Sequence, residues 1–100
     1  MSGALQHFRD SLAGAAPPTD ADLALQALWW AGRGDWDRAH ACAQEGEDSA
    51  AALVHAHLHR IEGDAGNAAY WYRRAGRAPA TLPLDAEWAE IAEHLLARPT

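Results

Sequence analysis

The hydrophobic residues of this chain recur every three or four positions, which is the period of an amphipathic α-helix, and no segment alternates regularly enough to predict a β-strand. Glycine and proline interrupt the pattern and separate six helical segments. The predicted helices span about residues 2–13, 20–33, 36–44, 49–62, 65–76 and 84–97. The pattern therefore predicts an all-α fold, with residues 1–100 in a single domain.

A repeated turn sets the order of the middle helices. The dipeptide Gly-Asp occurs at Gly34-Asp35 and again 29 residues later at Gly63-Asp64, and an alanine lies four residues after each aspartate. Glycine favours the left-handed position that closes a helix, aspartate is a good N-cap, and a small residue lets two helices approach closely. Such a recurring unit is typical of a helical solenoid, so we expect a short array of antiparallel helical hairpins with terminal capping helices. The predicted hairpin units span about residues 20–46 and 49–78, and the closing helix about 84–97.

The two segments GDWDRAHACAQ and GDAGNAAYWYRRA resemble the turn and second helix of tetratricopeptide repeats. The matching residues are Ala27, Trp30, Trp36 and Ala39 in the first unit and Ala56, Ala68, Tyr72 and Ala75 in the second. The interval of 29 residues is shorter than the 34 of that family. The resemblance covers about residues 20–78 and implies helical hairpins that bind a peptide or a helix. The segment HAHLHRIEGDAGNAAYWYRRAGR also resembles an uncharacterised family of small bacterial proteins.

Composition and charge narrow the classes of partner. The formal net charge of −6 argues against nucleic acid and anionic membranes as partners. The single Cys42 rules out an intramolecular disulfide and a cysteine-based zinc cluster. No apolar run reaches the roughly 18–20 residues of a membrane-spanning helix, and no signal peptide is visible. We therefore expect a cytoplasmic protein.

Three histidines stand at alternate positions in the stretch HAHLHR. Residues two apart on a helix point in nearly opposite directions, so His57 separates from His55 and His59, which lie one turn apart on one face. A pair at that spacing can bind zinc if further ligands are present, and Glu62 is a candidate for one of them. The alternatives are acid–base chemistry or a purely structural role for the three rings.

A cluster of aromatic and basic residues follows the histidines. Tyr70 shares a helix face with Arg73 and Arg74, where guanidinium groups can stack on the ring and receive a carboxylate. Alternatively, these two arginines, with Arg60 and Arg77, pair with acidic residues of the closing helix, namely Asp85, Glu87, Glu90 and Glu93.

The repeat supplies binding surfaces, while no complete set of catalytic residues is evident. The leading hypothesis is therefore a non-catalytic module without a cofactor, which binds a protein, a peptide or a second copy of itself. The residues predicted to form its binding surface are Leu53, His57, Arg60, Ile61, Tyr70, Arg73 and Arg74. The second hypothesis is a small metal-binding or acid–base protein that uses His55 and His59 with Glu62.

Overall fold

Six α-helices form the regular structure of residues 3–98, the part of the chain that the computed structural model describes. They are α1 (Gly3–Ser11), α2 (Leu23–Gly32), α3 (Trp36–Glu45), α4 (Ser49–Ile61), α5 (Ala65–Ala75) and α6 (Leu84–Leu96). No strand occurs within those residues, so the predicted all-α class is confirmed. None of these helices is long and apolar enough to span a membrane.

The two Gly-Asp turns have nearly the same geometry. Gly34 and Gly63 adopt φ angles of 82° and 83°, a left-handed conformation that glycine reaches without a steric penalty. The aspartate after each glycine then caps the next helix, because its carboxylate accepts a hydrogen bond of 3.1 Å from a backbone N–H three residues later. The sequence repeat thus corresponds to a repeated turn, which joins α2 to α3 and α4 to α5.

Helix α4 lies at the centre of the molecule. It packs against α2, α3, α5 and α6, while α1 and α6 pack against each other and α6 also contacts α2. Every residue of α4 from Ala50 to His59 is buried, including its three histidines. A helix that is buried on all sides places its polar side chains against neighbouring helices, so each histidine needs partners from those helices.

Hydrogen bonds from two indole N–H groups link α6 and α1 to α2. Trp88 of α6 donates to the carbonyl oxygen of Leu28 in α2 at 2.8 Å, and Trp29 donates to the hydroxyl of Ser11 at 3.0 Å. Each ring therefore buries a large apolar surface while its N–H group stays paired. The closing helix is consequently held against α2 and lies beside α4, where its acidic residues can reach the polar groups of that helix.

Candidate functional site

Helix α4 directs its three histidines to two different sides. His57 contacts Glu87 of α6, whereas His55 and His59 face His40 of α3. The predicted separation of His57 from the other two rings is therefore confirmed. The two sides differ in their chemistry.

The histidine cluster consists of His40, His55 and His59. Its potential ligand atoms all lie within 4.8 Å of one another. The Nε2 atoms of His40 and His55 are 3.0 Å apart, and the rings of His55 and His59 stack with their centroids 5.0 Å apart. His55 and His59 are buried and His40 is half-buried, so the cluster lies at the edge of the core.

Two tryptophans hold the histidine cluster between them. Trp36 stacks on His40 with a centroid distance of 4.7 Å, and Trp71 stacks on His55 at 3.8 Å. Trp36 is itself fixed by a 2.8 Å hydrogen bond from its indole nitrogen to the carbonyl oxygen of Leu58. These contacts restrict the rotation of two of the three imidazole rings and preserve their relative positions.

A carboxylate orients the third ring. His59 Nδ1 lies 2.5 Å from Glu62 Oε1, which favours the tautomer with the proton on Nδ1 and leaves Nε2 as an acceptor. Glu62 groups with His59 and Asp64 rather than with His55 and His40. The structure therefore places this residue behind His59, where it contacts the ring from outside the cluster.

Two rings of the cluster, His40 and His55, favour the uncharged form. Burial, together with the neighbouring His40 and His59, lowers the pKa of His55 to about 4. Burial likewise lowers the pKa of His40, with His59 as the second cause. His55 Nδ1 is buried and has no hydrogen-bond partner within residues 3–98. At neutral pH His40 and His55 are thus uncharged, and one nitrogen of His55 is unpaired.

On the other side of α4, a single carboxylate collects three donors. Glu87 is only 1% exposed. Its Oε1 accepts hydrogen bonds of 2.7 Å from His57 Nδ1 and from Arg60 Nη1, and its Oε2 accepts one from the Tyr72 hydroxyl. Arg60 also donates from Nη2 to the carbonyl oxygen of Leu82 at 2.7 Å. We call these four side chains, Glu87, His57, Arg60 and Tyr72, the Glu87 network.

Hydrogen bonding stabilises the ionised form of Glu87. Burial opposes the negative charge, but the donors His57, Tyr72 and Arg60 together lower the pKa of the carboxyl group. Burial and the contact with Glu87 raise the pKa of Tyr72, which therefore remains a donor. The Glu87 network is thus a buried ion pair with its charged groups satisfied, as such pairs must be to avoid a large desolvation cost.

The residues predicted to bind a partner differ in accessibility. Leu53 and His57 are buried, so neither offers an exposed contact. Arg60 is held by Glu87, in agreement with the alternative that an arginine pairs with the closing helix. Ile61 remains 40% exposed.

The remaining predicted residues lie on α5 and are accessible. Tyr70 is 42% exposed, and the guanidinium carbons of Arg73 and Arg74 lie 6.0 and 5.9 Å from its ring centroid. Arg74 also donates a 3.0 Å hydrogen bond to the Tyr70 hydroxyl. Neither arginine forms an ion pair within residues 3–98.

Sequence reasoning missed His40 as a member of the cluster. It lies 15 residues before His55, on a different helix, so no ligand spacing within one helix reveals it. The available signal was indirect: His40 follows Trp36 by one turn in a helix that the repeat places beside α4. A comparison of facing positions on the two helices would have found it.

Comparisons with known proteins returned no relative. No protein-family model matches the chain, and neither the curated proteins nor the solved structures contain a match. The tetratricopeptide-like character of the array therefore stays an interpretation of the sequence. What the fold and the side-chain geometry define is an all-α protein with a candidate metal centre between α3 and α4.

Proposed function

We propose that this protein binds one divalent transition-metal ion, zinc in the first instance, through His40, His55 and His59. The observation that carries the proposal is that the potential ligand atoms of these three imidazoles lie within 4.8 Å of one another. Imidazole nitrogen is a common ligand of zinc, copper and nickel, whereas calcium and magnesium prefer oxygen ligands.

The spacing of the nitrogen atoms is close to what a metal ion requires. Two nitrogens at zinc bonding distance, about 2.0–2.1 Å, are roughly 3.3 Å apart in a tetrahedral site. The Nε2 atoms of His40 and His55 are 3.0 Å apart. To admit the ion, these two nitrogens would separate by a few tenths of an ångström and the proton of their hydrogen bond would be released, with each neutral ring then protonated on Nδ1. His59 could then complete the set.

The protonation state of the rings also suits a metal. A ligating histidine must be neutral, and the lowered pKa values of His40 and His55 keep both rings uncharged at neutral pH. Glu62 accepts a hydrogen bond from Nδ1 of His59, which is the usual outer-shell arrangement around a metal-binding histidine. The cluster thus combines three potential ligands with one orienting carboxylate.

A bound ion would connect the two repeat units. His40 belongs to α3 in the first unit, while His55 and His59 belong to α4 in the second. Three ligands leave one position of a tetrahedral zinc ion for water or for a group from a partner. We therefore assign the metal a role in joining the units, with one coordination position open to another molecule.

The test is a zinc titration of protein that was purified without a polyhistidine tag and stripped of metal with a chelator. Isothermal titration calorimetry should give one zinc ion per chain. His40→Gln should weaken binding by more than the roughly 10–100-fold that follows loss of an outer-shell partner. At a free zinc concentration 100 times Kd, the metal should add about 2.7 kcal/mol to the free energy of unfolding.

His94→Gln is the matched control, because His94 is exposed on α6 and lies outside the cluster. It should bind zinc like the unsubstituted protein. Equal affinity in His40→Gln, or the absence of any binding below millimolar zinc, would overturn the proposal. Circular dichroism of each variant would establish that a lost site is not a lost fold.

A binding module remains the second candidate, and the exposed cationic surface of α5 favours it. Tyr70 lies beside Arg73 and Arg74, whose guanidinium groups have no acidic partner within residues 3–98. Such a surface suits an acidic peptide. Binding of a fluorescent poly-glutamate peptide that is unaffected by Arg73→Gln and Arg74→Gln together would argue against it.

A further inference from the structure

A cavity of about 290 Å³ opens on the α6 side of the molecule, away from the histidine cluster. It lies among α1, α2, α4 and α6. Its apolar lining consists of Leu12, Ala31, Gly32, Ile61, Leu84 and Trp88. The volume is at the lower end of small-molecule sites, and such sites combine apolar walls with a few polar groups that orient the ligand.

A buried histidine supplies one of those polar groups. His57 lines the cavity although it is 2% exposed, and its Nδ1 is bound to Glu87. Glu87 occupies Nδ1, so Nε2 is the ring nitrogen left for a ligand. Nε2 has no hydrogen-bond partner within residues 3–98, and it is not among the fully enclosed unpaired atoms. It is therefore available for a hydrogen bond inside the cavity.

Two side chains of opposite charge, Arg9 and Asp85, lie at the exposed part of the lining. Arg9 comes from α1, and its guanidinium carbon lies 5.4 Å from the centroid of the Trp88 ring. Asp85 comes from the first turn of α6 and accepts a 2.9 Å hydrogen bond from the Ala86 backbone. Neither residue forms an ion pair in the described part of the chain. The lining thus offers one cation and one anion to a ligand.

We propose that this cavity binds a small zwitterion, a free amino acid whose apolar side chain ends in a hydroxyl group. Its carboxylate would pair with Arg9, its ammonium group with Asp85, and its hydroxyl would form a hydrogen bond with His57 Nε2. The apolar body would pack against Trp88 and the aliphatic lining. This site is independent of the proposed metal centre, because His57 does not belong to the three-histidine cluster.

L-tyrosine is the probe, and its simplest analogues each remove one contact. L-phenylalanine lacks the hydroxyl, tyramine lacks the carboxylate, and 3-(4-hydroxyphenyl)propionate lacks the ammonium group. Chemical-shift titrations of metal-free protein should show tyrosine binding most tightly, with residues around the cavity shifting. Each analogue should bind about tenfold more weakly, the effect of one lost charged or polar contact.

Substitutions at the exposed part of the lining test the same contacts from the protein side. Arg9→Gln should weaken the binding of tyrosine about tenfold and leave the affinity for tyramine unchanged. Asp85→Asn should weaken the binding of tyrosine and leave the affinity for the propionate unchanged. Arg73→Gln and Asp37→Asn are matched controls outside the cavity and should have no effect. No shift at the solubility limit of tyrosine, or equal affinity for all four compounds, would overturn the proposal. Because chelator is present throughout, the result does not depend on zinc.

Discussion

The two sides of helix α4 carry histidines that are equally buried but differently supplied with partners. His57 and His55 are each 2% exposed. His57 contacts the ionised carboxylate of Glu87, which also accepts hydrogen bonds from Arg60 and Tyr72. The negative charge of Glu87 is thus balanced within the Glu87 network. His55 instead faces the imidazole of His40 at 3.0 Å, and its Nδ1 is fully enclosed without a hydrogen-bond partner within residues 3–98.

The difference shows why burial alone does not identify a functional histidine. A buried polar group must be satisfied, and the Glu87 network achieves this with groups from α4, α5 and α6. The histidine cluster has no such counter-charge at its centre within residues 3–98. Its rings His40 and His55 avoid the cost of a buried charge because burial lowers their pKa values and keeps them neutral. The first arrangement links three helices through charged groups, and the second brings uncharged nitrogen atoms together.

The largest effect should follow removal of the carboxylate at the centre of the Glu87 network. Glu87→Ala leaves His57 Nδ1 without its acceptor and Arg60 without its carboxylate, and breaking a buried pair in this way costs about 3–5 kcal/mol. A small domain has about 5–15 kcal/mol of stability, so the loss should be measurable by urea denaturation. Zinc affinity should be unaffected as long as the variant is folded.

Glu93→Ala is the control for this substitution. Glu93 is exposed on the same helix and its side chain forms no ion pair within residues 3–98. Replacement should change the free energy of unfolding by less than about 0.5 kcal/mol. A similar small loss in Glu87→Ala would show that the network contributes little and would remove the contrast between the two sides of α4.

An intermediate effect should appear when metal-free protein is acidified. The pKa of His55 falls from 6.5 to about 4 on folding, so the unfolded chain binds a proton between those values and the native protein does not. Stability is therefore complete above the unfolded pKa and decreases as the pH falls toward 4. Between about pH 7.5 and 5.5 the loss should be roughly 1–2 kcal/mol. Denaturant titrations in the presence of chelator would measure it.

The variant His55→Phe should reduce this pH dependence, because phenylalanine can still stack on Trp71 but does not titrate. The Glu87 network contributes in a different range. The pKa of Glu87 is lowered from 4.5 on folding, so its stabilising effect is retained above that value and lost only at lower pH. An unchanged slope in His55→Phe between pH 7.5 and 5.5 would show that another group is responsible.

The helices and their turns could be predicted because they depend on local chemistry. The period of apolar residues located six helices, and the Gly-Asp pairs indicated where α3 and α5 begin. Gly34 and Gly63 are decisive because each must adopt a positive φ angle, and the capping aspartate acts within the next three residues. These features involve neighbours in sequence and need no knowledge of the packing.

The sites depend on packing and were only partly predictable. The helix period placed His55 and His59 on one face, but the third ring, His40, arrives from α3 through the contact between the repeat units. Similarly, several acids of α6 were candidate partners for the arginines, and only the orientation of the docked helix selects Glu87 for Arg60. Local periodicity gives the face of each helix and leaves its partner undetermined.

The smallest effect on folding should come from replacing Glu62, the carboxylate on the histidine-cluster side of α4. Glu62 is exposed and touches only the outer nitrogen of His59, so Glu62→Gln should change the stability of metal-free protein by less than about 0.5 kcal/mol. Its effect should appear in zinc affinity instead, because loss of an outer-shell carboxylate typically weakens metal binding about 10–100-fold. Calorimetric titration of zinc into Glu62→Gln and into the unsubstituted protein would measure this. Glu93→Gln removes an acidic charge on α6, outside the histidine cluster, and serves as the control for the loss of negative charge alone. If Glu62→Gln and Glu93→Gln bind zinc equally well, Glu62 does not orient His59 for a metal. A tenfold difference, without a change in stability, would separate the two carboxylates by role: Glu87 would contribute to folding and Glu62 to ligand binding.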